Sequence, residues 1–457
     1  MARAYSKDPV VDKSLRHALR DAAAYSAMTG SGETYFSAFA VFLHATTTQI
    51  GMLAALPPLL GSLAQLVSAW WGRRIGRRKP IIVIGASVQA LSLVPLALLP
   101  LWFPENGIAL LILCVVVYYA GNNLTTPQWA SMMGDLVPPR RRGRYFARRT
   151  RLGSVAAFCA LVCAGTLLHT FASSGYTMWG YLTIFAIAIA ARVVSIYQLA
   201  RMYDPPGQTA VLEVLLAKDW WRWLRHSPFA RFSLFFASLQ FSVAISSPFF
   251  SVYLLRDLNY SYLQFMANSA VVVVMQFLTL AWWGRLGDAF GNRLILVATG
   301  AMIPVLPLLW LLSTDFFYLL SVQILAGLIW SGFSLSASNF LFDLVPPAKR
   351  VTLLAFHNVF CSACIFFGAM LGGWLCTELP TQITFAGETW QWISPIYGIF
   401  VLSAMLRGTV AVLFLPRLKE VREVRAMSVA GLIFRVARIN ALAGMMFDII
   451  GSRRPRE

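Results

Sequence analysis

The sequence predicts an all-α polytopic membrane protein with twelve transmembrane helices, arranged as two six-helix bundles related by a pseudo-twofold axis. Three observations predict it. Of 457 residues, 58% are hydrophobic and only 12% charged, against roughly 25% charged in soluble domains. Charge-free stretches such as 108–133 exceed the roughly 18–20 apolar residues that carry a helix across a bilayer. Features of the first half also recur, in order, in the second. The alternation of a membrane barrel, with turns every ~10 residues, is absent.

The first predicted span, 22–43, follows a polar lead containing Arg3, Lys7, Lys13, Arg16 and Arg20. No cleavable signal is visible there, so this span is expected to act as an uncleaved anchor. HATTTQ leads into span two, 48–71, which runs out into GRRIGRRK at 72–79. Spans three (81–99) and four (108–136) flank PLWFPENG, and DLVPP at 135–139 turns the chain into RRRGRYFARRTR at 140–151. Spans five (152–171) and six (178–200) flank HTFASSGYTM. YDPPGQ then stops the helix, because proline lacks a backbone donor. AVLEVLLAKDWWRWLRH reads as a short amphipathic helix at the membrane surface.

In the second half, spans seven (232–255) and eight (260–283) flank a loop holding Arg256, and spans nine (294–313) and ten (316–345) flank STD. DLVPP returns at 343–347, and spans eleven (352–377) and twelve (393–415) flank TELPTQITFAGETW. The tail contains an apolar piece, 429–451, interrupted by Arg435, Arg438 and Asp448, which favours an interfacial helix over a thirteenth span.

Lys and Arg crowd alternate connections, while the others hold none apart from the loop with Arg256. By the positive-inside rule the basic side is cytoplasmic and both termini lie inside. The same asymmetry accounts for the net charge of +19 without nucleic acid, and a basic face attracts anionic membrane lipids. The six cysteines lie in or at the ends of spans. Cys361 and Cys364 form a CxxC on one helix, but with no second ligand pair nearby no metal site is expected, and the pair reads as small apolar residues.

The repeat is detailed. AWWGRRIGRRKP at 69–80 matches AWWGRLGDAFGNR at 281–293, and IFAIAIAAR at 184–192 matches IFVLSAMLR at 399–407, placing Arg192 and Arg407 at equivalent positions. Together with the duplicated DLVPP, this divides the chain into a first bundle (1–200), a linker (201–231), a second bundle (232–415) and a basic tail (416–457). Two six-span halves, a basic loop between spans two and three and a long central loop resemble the major facilitator superfamily. Its loop motif, roughly G-x-L-x-D-x-x-G-x-R, stands as Gly284, Leu286, Asp288, Gly291 and Arg293. The first half keeps only the GRRK end, Gly76 to Lys79, with Arg73 where the family usually has Asp. The form DLVPPRRRGRYF resembles a bacterial branch, which implies an inner-membrane location.

The resemblance implies a carrier whose site lies between the halves near the midplane, the halves rocking about it. No H-E-x-x-H, P-loop or G-x-S-x-G appears, so neither an enzyme nor a cofactor is expected and an ion gradient supplies the energy. A monomeric, proton-coupled carrier of a small organic solute is the leading expectation. The alternatives are a non-transporting relative that assists membrane-complex assembly or moves lipids, and a drug or metabolite exporter. Span five lacks the Gly-Pro-rich pattern of the superfamily's drug antiporters.

Glu33 is the sharpest single residue. It lies about eleven residues, or ~16 Å, into the first span, deeper than any other acid. A carboxylate at that depth is costly, and such groups usually face a cavity and serve a function. Proton coupling leads; a structural pair with Arg192, Arg407 or backbone, and direct cation binding, are the other readings. Gly30, Ser31 and Gly32 are expected to loosen the helix there.

Arg73, Arg74, Arg77, Arg78, Asp135, Arg285, Asp288, Arg293 and Asp343 are the expected gating residues. Each DLVPP aspartate would pair with an arginine of its own half and brace the basic end in the outward-open state. Arg192 and Arg407 are expected to be structural, tying helices together through carbonyls. In the resembled fold, spans one, two, four, five, seven, eight, ten and eleven line the cavity. They offer Tyr35, Gln65, Asn122, Asn123, Trp129, Gln240, Asn268, Gln276, Trp330, Asn339 and Asn358 as solute contacts, with Gln128, Gln323, Ser334 and His357 also in the inventory. Amides and indoles suit an amphipathic or hydroxylated solute. Apart from His357 near a cytoplasmic end, these spans hold no cationic side chain in mid-membrane, which disfavours phosphate and polycarboxylate solutes.

Overall fold

The computed structural model describes residues 8–102, 107–138, 142–205, 227–345, 350–379, 382–385, 388–391 and 394–420. The amphipathic linker helix and the interfacial tail helix expected from sequence lie outside these residues. Eleven helices among them are long and apolar enough to cross a membrane. The first span stands apart because it starts earlier than its hydropathy suggests and is broken.

Its first piece, α1 (Pro9–Ser31), is capped by Asp8, whose carboxylate accepts from the Val10 amide at 2.8 Å. After Gly32 the chain tightens into a single 3-10 turn, Glu33–Tyr35, and resumes as α2 (Phe36–Phe42). Then come α3 (Thr47–Ile75), α4 (Lys79–Trp102), α5 (Gly107–Leu136), α6 (Arg142–Ser173) and α7 (Thr177–Ala200).

The second half repeats this plan. Its first span is again interrupted: α8 (Pro228–Ala244) gives way at Ser246–Ser247–Pro248 to α9 (Phe249–Val252) and a π-helical turn, Tyr253–Asp257. Beyond it lie α10 (Tyr262–Phe290), α11 (Asn292–Met302) with its continuation α12 (Val305–Leu309), α13 (Phe316–Leu344), α14 (Arg350–Glu378) and α15 (Ile396–Phe414). The connection between α14 and α15 contains a short antiparallel hairpin, β1 (Gln382–Phe385) with β2 (Glu388–Gln391), in which Gln382 pairs with Gln391 and Phe385 with Glu388.

Local signals repeat with the fold. A capping box of Thr46 and Gln49 starts α3, and one of Ser261 and Gln264 starts α10. In each, the side chains satisfy two backbone donors that a helix start leaves open. At the other end of α3, Gly76 takes a left-handed φ of 66°, which glycine tolerates without strain.

Packing follows the same symmetry. α1 lies on α6 as α8 lies on α14, α3 on α5 as α10 on α13, and α4 on α5 as α11 on α13. The halves meet along two seams, α3 with α14 and α6 with α10. At the end of the molecule away from the basic loops, one apolar core joins both halves, from Tyr35, Phe39, Leu168 and Tyr181 to Phe249, Tyr253, Phe265 and Phe400. At the basic end the cores are separate. Leu15, Ile82, Met132 and Tyr145 cluster within the first half, and Phe229, Phe232, Phe340 and Leu353 within the second. The halves therefore share one apolar core at the end away from the basic loops and keep separate cores at the basic end.

The seal depends on small residues. A Cβ on Gly51 would stand 2.7 Å from the Ala369 carbonyl oxygen, and one on Gly373 would stand 3.1 Å from the Thr48 Cα. Helices can approach this closely only where side chains are small. In the other seam Tyr35 meets Phe265 with ring centroids 6.3 Å apart, and Tyr181 meets Tyr262 at 5.8 Å.

Candidate functional site

Glu33 sits at the break in the first span, where the 3-10 turn replaces α-helical backbone. Its two carboxylate oxygens each accept one phenol: Tyr118 Oη donates to Oε2 at 2.9 Å and Tyr119 Oη to Oε1 at 2.9 Å. Both tyrosines come from α5. The arrangement satisfies an acceptor-only, ionised carboxylate; on protonation one oxygen becomes a donor and one phenol must turn or let go. Hydrogen bonds to charged groups contribute roughly 1.5–3 kcal/mol each. Pairing with Arg192 or Arg407, the structural alternative for Glu33, is not what its oxygens do.

The break has local causes. Gly30 packs against the Ala157 carbonyl of α6 so closely that a Cβ would collide with it. The Ser31 hydroxyl donates to the Ala27 carbonyl at 2.8 Å, a back-bond that bends helices. The sequence marks this hinge with Gly-Ser-Gly.

The same face of α5 continues toward the basic end through Asn122, Thr125 and Trp129, spaced so that they stack turn upon turn. Opposite them α1 presents Tyr25 and Asp21. Tyr25 Oη donates to Asn122 Oδ1 at 3.1 Å. Asp21 accepts from Ser195 Oγ at 2.7 Å and lies 3.6 Å from Arg149, while Arg192 donates to the same Ser195 Oγ at 2.8 Å. The Arg192 guanidinium also sits over the Tyr25 ring, 5.1 Å from its centroid, and Arg149 over Trp129 at 4.1 Å.

These contacts bring in two charged groups that the sequence did not single out. α1 begins well before the predicted span and buries a second acid, Asp21, nearer the basic end than Glu33. Arg149, part of the basic run, lies over the Trp129 ring and beside Asp21. Arg192 ties helices through Ser195 and the Tyr25 ring rather than through carbonyls. Its counterpart Arg407 does reach a carbonyl, that of Val243 at 3.4 Å, and the Ser246 hydroxyl at 2.7 Å, beside the break in the seventh span.

At the basic end Arg78 is buried and pairs with Asp135 at 2.6 Å. It also reaches Asp204 at 3.2 Å and the Pro205 carbonyl at 2.7 Å. The backbone amides of Arg78 and Lys79, which open α4, donate to Asp204 as well. In the second half the Arg293 amide donates to Glu420 at 2.8 Å and its Nε to the Leu418 carbonyl at 2.5 Å, while Asn292 donates to Asp343 at 3.4 Å. Asp204 and Glu420, both just past the last helix of their halves, were not singled out by the sequence. The Arg78–Asp135 pair joins α4 to the end of α5, within one half, as the DLVPP aspartate was expected to do. Arg74 and Arg77 are exposed, with Arg74 over Trp70 at 5.0 Å. Arg285 is exposed, and the side chains of Arg73 and Asp288 lie outside the described set.

The expected solute contacts separate into groups. Asn122 and Trp129 line a pocket within the first half, together with Asp21, Tyr25, Arg149 and Arg192. Gln65 donates to Asn123 at 2.7 Å and Asn123 to the Tyr119 carbonyl at 2.9 Å, a second link between α3 and α5. Tyr35 and Asn268, expected on the cavity wall, are buried at 0% and 1% exposure. Tyr35 donates to the Leu161 carbonyl at 2.8 Å and belongs to the seal, and Asn268 donates back to the Gln264 carbonyl of its own helix at 3.2 Å. Asn339 donates to Asn292 at 3.4 Å, and Trp330 packs edge-on against Phe333. Gln276 and Asn358 are exposed and Gln240 is half-buried. His357 is buried among Phe229, Phe232 and Phe236, 3.0 Å from Ser233 Oγ.

Comparison with known proteins agrees with this architecture. The profile of the Major Facilitator Superfamily matches residues 22–265 and 232–447. No curated protein matches the sequence. Among solved structures, a D-xylose-proton symporter superposes with a TM-score of 0.65 at 14% identity, over 91% of this chain and 99% of that one. The nucleoside transporter NupG gives 0.61 at 15% identity over 89% and 99%. A bacterial homologue of the human lysosomal transporter Spinster, in an inward-facing, unoccupied conformation, gives 0.60 at 16% identity over 90% and 95%. At such identities the likeness is one of fold.

Proposed function

The chain belongs to the major facilitator superfamily, and on that premise we propose that it is a proton-coupled symporter of a small organic solute, working by alternating access. The bundles 1–200 and 232–415 rock about the cleft between them. The observation that carries the reading is Glu33: a carboxylate in the break of the first span, held by two phenols of a different helix. It lies two residues before Tyr35, which belongs to the core that joins the two halves.

Protonating Glu33 removes the need for two donors and loosens α1 from α5. Deprotonation restores the clamp. A proton taken up on one side and released on the other is in this way tied to how the helices of the first half sit on one another, and through the seams to which end is closed. The structural neighbours that move sugars and nucleosides support a small polar or amphipathic solute.

Placement of the basic loops supports a bacterial inner-membrane protein with both termini cytoplasmic. In this reading the end with separate cores faces the cytoplasm. A cavity of about 1210 Å³ at the basic end, lined by Lys13, Arg77, Lys79 and Arg201, is suited to anionic lipid headgroups. The protein is proposed to act as a monomer.

The test is solute-driven proton entry. Purified protein is reconstituted in liposomes loaded with a pH-sensitive dye and challenged with solutes one at a time. The reading expects at least one solute to acidify the lumen and to be concentrated when an inward proton gradient is imposed. Solute entry that is indifferent to the gradient contradicts coupling.

A further inference from the structure

Between α1, α5, α6 and α7 the first half forms a partly open pocket of about 180 Å³, lined by Asp21, Tyr25, Asn122, Trp129, Arg149 and Arg192 together with Thr125, Thr126 and Leu199. Sites for drug-sized ligands run roughly 300–1,000 Å³, so this one suits a small solute or the charged head of a longer one. Its polar atoms are unevenly satisfied. Both carboxylate oxygens of Asp21 are engaged, one by Ser195 and the other by Arg149. Three buried N–H donors of the lining have no partner: Arg149 Nε, Arg192 Nε and Trp129 Nε1. No buried side-chain acceptor of the lining is left over. Arg192 is only 2% exposed, and buried polar groups are normally hydrogen-bonded.

The charges point the same way. Two guanidiniums face one carboxylate, which leaves one positive charge in the pocket. Planar guanidinium groups bind carboxylates through paired N–H donors. The indole of Trp129 and the ring of Tyr25 flank the guanidiniums and offer apolar faces to the rest of a solute.

We infer that this pocket is the recognition subsite for an organic monoanion, its carboxylate held by Arg149, Arg192 and Trp129 and its body set against the aromatic rings. The inference deepens the carrier reading and rests on it, because it names the substrate class. One surplus charge matches one carboxylate. A polycarboxylate would bring more negative charge than the pocket answers, and a cation would meet the two arginines. The row Trp129, Asn122, Tyr119, Tyr118 on α5 then leads from the bound anion to Glu33, about three turns or ~16 Å along the helix.

The test uses the purified full chain in detergent and reads its thermal midpoint with acetate, lactate and benzoate, each against its neutral amide, and with citrate. The proposal expects at least one monocarboxylate to raise the midpoint saturably, with its amide at least tenfold weaker and citrate weaker too. Arg149→Ala is expected to weaken the effective monocarboxylate at least tenfold, and Trp129→Phe, which keeps a ring and deletes the donor, several-fold. Should either variant fail to fold, the contrast between acid and amide on the unchanged protein still decides. No response to any monocarboxylate, an equal response to the amide, a stronger response to citrate, or an Arg149→Ala protein that responds undiminished overturns it. A monocarboxylate that binds through Arg149 but is not carried into liposomes sinks the carrier reading and leaves the pocket standing. Carriage of a neutral or cationic solute untouched by Arg149→Ala does the reverse.

Discussion

The Arg78 guanidinium lies 2.6 Å from the Asp135 carboxylate, and the two are not equally buried: Arg78 is 1% exposed, Asp135 49%. Removing one partner of a buried pair strands the other, whereas an exposed partner is rehydrated. Arg78→Ala should therefore destabilise the protein by about 3 kcal/mol, leaving Asp204 and the α4 amides without their shared anchor. Asp135→Asn should cost about 1 kcal/mol or less. Chemical unfolding in detergent measures both. Equal losses would mean that Asp135, not Asp204, is the main partner of Arg78.

The seal between α3 and α14 yields a conformational prediction. Valine at position 51 puts a side chain where 2.7 Å separates a Cβ from the Ala369 carbonyl oxygen, and backbone cannot move aside as a flexible side chain can. Gly51→Val should part this seam and shift the population away from the state closed at the end opposite the basic loops. Spin labels on the N-terminus of α3 and the C-terminus of α14 should report a longer and broader distance distribution. An unchanged distribution contradicts the packing described.

How much of this was legible beforehand follows the physics of each feature. The spans and the basic side could be read from the sequence because a bilayer punishes charge at any buried position; the first span, which α1 extends back to Pro9, is the exception that hydropathy did not delimit. The repeat could be read because identical helix ends and capping boxes sit at matching places. Asp21 was not legible. Its neighbours Arg20 and Ala22–Ala23–Ala24 read as the edge of a span, and only the long α1 carries it inward. Arg149 was hidden among arginines that all look cytoplasmic. Tyr118 and Tyr119 were passed over in favour of Asn122 and Trp129, although their spacing on one face of α5 was available. The hairpin at 382–391 had a signal too: Ile-Thr-Phe and Glu-Thr-Trp around Ala-Gly, β-rich triplets across a glycine turn.

The phenol clamp predicts non-additivity. Tyr118→Phe and Tyr119→Phe each delete one donor to Glu33, a loss of roughly 1.5 kcal/mol, or about tenfold, in proton-driven uptake. In a Glu33→Gln background the same changes should add little, because residues sharing one network couple. Full additivity would place the tyrosines in a separate function.

The break in the seventh span supplies a parallel case. Ser246→Ala deletes the hydroxyl that Arg407 and Ser403 share, at 2.7 and 3.0 Å, and leaves a buried guanidinium with one fewer acceptor. A stability loss of roughly 1–3 kcal/mol is expected, read as a lower midpoint of thermal unfolding in detergent. An unchanged midpoint contradicts a structural part for this contact.

The most direct measurement compares wild type with Glu33→Gln in liposomes, for the same solute, by two assays. One is exchange of labelled for unlabelled solute at equal pH, and the other is uphill accumulation under a proton gradient. The glutamine keeps the size of the side chain and a carbonyl oxygen for one phenol, and it cannot take up a proton. Exchange that persists while uphill accumulation disappears is the predicted result. Accumulation that continues undiminished in the variant contradicts the assignment of Glu33 as the proton carrier.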